Sequence, residues 1–63
     1  MTRYTAGAIK RLAIRTSRLQ NLSPFQNSVV RDAIRNSEAI AARPKLAAET
    51  RMILEYALLH SRG

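Results

Sequence analysis

A chain of 63 residues makes one domain at most and buries only a modest share of its unfolded surface, so association with a partner is expected to complete its stability. No Cys and a single His exclude disulfide staples, zinc fingers and iron–sulfur ligation by this chain, and redox chemistry with them. Eleven Lys and Arg against four Asp and Glu give a net charge of +7, a field that draws polyanions: nucleic acid, an anionic membrane or an acidic protein.

The charge is uneven along the chain. Arg3, Lys10, Arg11, Arg15, Arg18 and Arg31 all precede the first acid, Asp32. In the first segment, residues 5–20, a helix sets Ala6, Ile9, Leu12, Ala13, Thr16 and Leu19 on one face and Arg11, Arg15 and Arg18 on the other, with only Ile14 out of place. Over residues 11–16 a period of two also fits, with Leu12, Ile14 and Thr16 pointing one way and Arg11, Ala13 and Arg15 the other. The helical template covers the whole segment and the strand template only its middle, so helix is the expectation and a strand followed by two helices the alternative. The N-terminal stretch is also Arg-rich, hydroxyl-bearing, amphipathic and free of acids, the character of a mitochondrial import segment, and as an import signal it would be expected to stay on the mature protein.

The second segment opens at Ser23-Pro24-Phe25-Gln26, an N-cap Ser, a Pro at the first helical position and a Gln three residues after the cap, which together make a capping box. Phe25, Val29, Val30, Ala33, Ile34, Ser37, Ile40 and Ala41 follow at helical spacing, with Arg31, Arg35 and Glu38 opposite, so one helix is expected over residues 24–41. Pro44 then punctuates the chain. Leu46, Thr50, Ile53, Leu54 and Ala57 mark the buried stripe of a third helix over residues 45–61, with Gly63 placed as a C-terminal cap. Across that helix Ala48, Met52 and Leu59 form a second apolar strip, interrupted by Glu55, which has nothing of its own to pack on and reads as a partner contact. The expected fold is all-α, an antiparallel three-helix unit with a core of Ile9, Leu12, Phe25, Val29, Val30, Ile34, Ile40, Leu46, Ile53 and Leu54.

No catalytic constellation is present in this pattern. His60 sits in the last turn of the third helix, where a cation meets the terminal carbonyls. Each acid has a base at helical spacing, Arg35 with Glu38 and Arg51 with Glu55 among them, and the glycines, Gly7 and Gly63, form no phosphate loop. No apolar run approaches the roughly 20 residues that span a bilayer. A basic amphipathic first helix lying on a membrane ranks low, because Tyr4 is the only aromatic residue before Phe25. The chain therefore reads as a non-catalytic binding protein, with Arg11, Arg15, Arg18, Arg31 and Arg35 as its candidate partner-binding face and no metal or cofactor of its own.

Ile9-Lys10-Arg11 followed by Arg15, then Val30-Arg31-Asp32-Ala33 and Ile34-Arg35, resembles the LYR-motif family of small mitochondrial proteins over nearly the whole chain. Lys10 and Ile34 stand where that family has its Tyr and its Phe. The resemblance implies a three-helix subunit or assembly factor of a respiratory complex, the mitochondrial ribosome or the iron–sulfur machinery, in the matrix or on the matrix side of the membrane. It further implies an acidic acyl carrier protein as partner, whose acyl-phosphopantetheine inserts between the helices while Arg11, Arg15, Arg31 and Arg35 meet acidic or phosphate groups. A rival resemblance rests on Arg11-Leu12-Ala13-Ile14-Arg15 and on the run from Leu46 to Leu58, similar to the strand and second helix of ribbon–helix–helix repressors and antitoxins. That alternative implies a homodimer on duplex DNA in a bacterial or phage cytoplasm, with Arg11, Ala13 and Arg15 facing base edges.

Overall fold

A computed structural model describes residues 4–60, and they are helix and turn throughout, with no strand among them. The first helix, α1, spans Ala6–Ser17. Thr5 caps it, its hydroxyl accepting from the Ala8 N–H at 3.1 Å. Ile9, Ala13 and Thr16 are its buried residues, and Ile14, the one apolar residue the helical pattern left over, is exposed. The strand alternative over residues 11–16 does not hold in this chain. Helix satisfies every backbone N–H and C=O of the segment locally, whereas six residues of strand would need a second strand beside them.

The turn after α1 carries Asn21 at φ 65, a left-handed conformation that Asn tolerates better than most residues, and Leu22 beyond it packs back on the core. The capping box then opens α2, Pro24–Arg35, as expected. Gln26 N–H donates to Ser23 Oγ at 3.1 Å, and Ser23 N–H donates to Gln26 Oε1 at 2.9 Å. Removing the cap oxygen with Ser23→Ala is expected to cost about 1 kcal/mol. For a domain of this size that lowers the melting temperature by about 4–8 °C, read from the helical circular dichroism signal on heating.

The single second helix expected over residues 24–41 is two helices. α2 ends at Arg35, and α3, Ser37–Ala41, follows after Asn36, whose φ of −121 and ψ of 33 leave the helical region. Asn36 N–H still donates to the Asp32 carbonyl at 2.8 Å, and its own carbonyl accepts from Ile40 N–H at 2.9 Å, so the break is a kink that loses little hydrogen bonding. Asn and Ser side by side favour such a break, since both side chains compete for backbone groups within a helix. The bend also undoes the expected Arg35–Glu38 pair. Among the described residues, Arg51 with Glu55 is the only salt bridge.

Pro44 starts the last helix, α4, Pro44–His60, after a turn in which Arg43 N–H donates to the Ile40 carbonyl at 3.0 Å. The expected end at Ser61 and the cap at Gly63 lie outside the described residues. Each helix packs on the other three, so the arrangement is a four-helix unit around one core. No helix among the described residues is long and apolar enough to cross a membrane.

Of the ten residues expected in the core, Ile9, Val30, Ile40 and Leu54 are buried. Leu12, Val29, Ile34 and Leu46 are half-buried and packed against that cluster, and Ile53 is half-buried at its edge. Phe25 is a correction. At the second position of α2 its side chain lies on the surface beside Met52, Ile53 and Tyr56 of the last helix and stays 63 % exposed. The centre is built instead from small residues: Ala13, Ala33, Ala47 and Ala57 are all buried, which lets helix backbones approach closely. Thr16 and Thr50 are buried among them, and the Thr16 hydroxyl is satisfied by donating to the Leu12 carbonyl at 2.8 Å.

Candidate protein-docking site

Helix α1 turns Arg11 and Arg15 away from the core, four residues apart on one exposed line. Across the seam, α4 supplies Arg51. These three guanidinium groups rim one open groove of about 370 Å³, floored by Ala8, Ile9 and Leu12 and closed at one side by Tyr4. The arrangement is a cationic rim over an apolar floor.

Arg51 is the fixed member of the three. Its Nε–H donates to Glu55 Oε2 at 2.9 Å, and its Nη1–H donates to the Tyr4 hydroxyl at 2.6 Å. The guanidinium carbon also stands 4.8 Å from the centre of the Tyr4 ring, a cation–π contact. The bond to Tyr4 foremost, and then that to Glu55, favour the charged form and hold the Arg51 pKa above its ordinary value. Because the Tyr4 oxygen accepts from Arg51, the phenol hydrogen is left to donate outward. Every charged side chain on the groove is cationic, and its one hydroxyl has a proton to give, so the groove is chemically a receiver of carboxylates and other anions.

The five arginines expected on one partner-binding face are not gathered into one site. Arg11 and Arg15 line the groove, while Arg18, at the C-cap of α1, and Arg31 and Arg35, exposed on α2, are outside it. Arg11, Ala13 and Arg15 do not face one way either, since Ala13 is fully buried between two exposed arginines. Tyr4 and Arg51 are the site residues that spacing did not indicate. Arg51 reads in the sequence only as the helical neighbour of Glu55, and Tyr4 lies 47 positions away from it.

Between the helices the chain leaves little room. Ile9, Ala13, Ala33 and Leu54 are each at most 2 % exposed, so an acyl chain inserted among them would require the helices to part. A second apolar groove lies between α2 and α4, where Phe25, Val29, Leu46 and Ile53 line an open space of about 560 Å³. Its charges are mixed, with Asp32, Arg43 and Glu49 around it. Among the described residues no His, Asp and Glu side chains cluster in a way that could hold a metal ion. No family model matches the chain, and neither a curated protein nor a solved structure matches it.

Proposed function

We propose that this protein is a non-catalytic, basic helical adaptor that docks an acidic protein within a larger assembly, through the groove between α1 and α4. The observation that carries the reading is the convergence of Arg11, Arg15 and Arg51 on one apolar-floored groove. Acidic side chains of a partner would pair with the guanidinium rim, and an apolar side chain between them would cover Ile9 and Leu12. The acid-free stretch ahead of Asp32 adds long-range attraction to these contacts and speeds encounter with a negative surface. The import-segment character of the N-terminal residues supports a mitochondrial setting, a respiratory complex, the mitochondrial ribosome or an assembly factor. Within it an acyl carrier protein is the partner to try first.

Titration calorimetry of the purified chain with a purified phosphopantetheine-bearing carrier protein tests this reading. Binding is expected at low ionic strength and should weaken as salt is raised to about 0.5 M, because exposed charge pairs are screened. Duplex DNA titrated under the same conditions is the contrasting ligand. Salt-dependent binding to DNA with none to the carrier would replace the adaptor by a nucleic-acid-binding protein.

A further inference from the structure

We propose that the outer face of α4 is a homodimer interface, pairing antiparallel with the same face of a second copy of this chain. This surface is separate from the α1–α4 groove and is independent of what that groove binds. Met52, Tyr56 and Leu59 are 69 %, 58 % and 81 % exposed, an unbroken apolar line down one side of the helix. Glu55, which the spacing placed across this strip, is drawn aside by Arg51 toward α1, and Tyr56 takes its place in the line. Phe25 extends the patch from α2, sharing a depression of about 400 Å³ with Met52, Ile53 and Tyr56 that no charged side chain lines. On a chain of net charge +7, an uncharged apolar surface is where two like-charged copies meet at least electrostatic cost. Exposed apolar surface this continuous on a small domain marks an interaction site.

A second copy is singled out because the face is complementary to itself. A twofold contact is isologous, so each residue must meet an acceptable partner at the mirrored height on the same flank. With the axis crossing α4 at the height of Leu54, the helical rise and turn place Met52 opposite the second copy's Tyr56, a sulfur–aromatic contact. On one flank Leu59 meets Ala48 of the other chain, large against small. On the other flank Glu49 meets His60, whose ring already leans on Tyr56 with a centroid distance of 4.1 Å. That pairing sets a carboxylate beside an imidazole N–H at both ends of the interface, and this donor–acceptor complementarity fixes register. A parallel pairing would instead set Glu49 against Glu49.

Sedimentation equilibrium of the full chain, from about 1 to 500 µM, tests the proposal. The wild-type chain is expected to be a reversible dimer. Met52→Glu would place two carboxylates in the apolar centre and weaken the dimer by about a hundredfold or more. Leu59→Glu should weaken it as well, each variant keeping its helical circular dichroism because both positions are exposed. Glu49→Lys should weaken the dimer, and adding His60→Glu should restore it by exchanging the charges across the axis. A wild-type chain that remains monomeric throughout, or a dimer indifferent to both Met52→Glu and Leu59→Glu, overturns the interface. A dimer that loses affinity with Met52→Glu yet is not rescued by the charge exchange overturns the antiparallel register.

Discussion

Replacing Leu54 with alanine is expected to remove a large share of the chain's stability at 25 °C. Leu54 is fully buried and, among the described residues, is the largest side chain so enclosed, with Thr16 next. Leu to Ala at such a site costs about 2–5 kcal/mol, the transfer of the lost atoms plus the cavity left behind. Typical stability per residue gives a 63-residue chain only roughly 3–9 kcal/mol in total. Leu54 shares its cluster with three alanines, Ala13, Ala33 and Ala47, whose short side chains cannot swing into the space left behind. Urea unfolding followed by circular dichroism at low micromolar concentration checks this. The unfolding midpoint should fall sharply for Leu54→Ala, while Leu59→Ala, changed at an 81 % exposed position, should stay within about 0.5 kcal/mol of wild type. Equal small shifts for both variants would mean that Leu54 does not anchor the core.

The helical segments were readable where a local device marks them. Ser23, Pro24 and Gln26 announce the start of α2 in four consecutive letters, and the structure makes both hydrogen bonds of that box. Pro44 likewise marks the start of α4. The break at Asn36 was hidden because Ile34, Ser37 and Ile40 keep helical spacing straight through it. A one-residue kink takes Asn36 out of helical backbone geometry without interrupting the apolar period. Phe25 differs for a related reason: periodicity puts it on the apolar side of α2, but it falls at the edge of that side, against the outer surface of α4 beside Met52 and Tyr56. The alanines at the centre, Ala13, Ala33, Ala47 and Ala57, carry too weak a hydrophobic signal to outrank Leu or Ile in sequence, yet they decide how closely the helices approach. Half of the candidate site was legible. Arg11 and Arg15 are spaced for one face of α1, whereas the bond from Arg51 to Tyr4 joins residues 47 apart, and only the packing of α4 against α1 brings them together.

Reversing the charge of the groove with Arg11→Glu and Arg15→Glu together is expected to weaken the acidic partner's binding by roughly 2–4 kcal/mol, about 30- to 1000-fold. Each substitution removes a cation that would meet a carboxylate and adds a like charge in its place, so lost attraction and new repulsion act in the same direction. The comparison that gives the result meaning is Arg31→Glu with Arg35→Glu. Each Arg→Glu change lowers the net charge by 2, so either double variant goes from +7 to +3. The two therefore share one long-range field and differ in where the charges stand. Arg31 and Arg35 are exposed on α2 outside the groove, so their reversal should slow association and raise the dissociation constant by less than about tenfold. All four side chains are exposed, and circular dichroism should report unchanged helix content for both variants. Calorimetric titrations at one ionic strength would separate the cases. A large loss confined to the α1 pair assigns recognition to the groove; equal losses would mean that the partner responds to net charge alone, and the convergence of Arg11 and Arg15 on Arg51 would then carry no specificity.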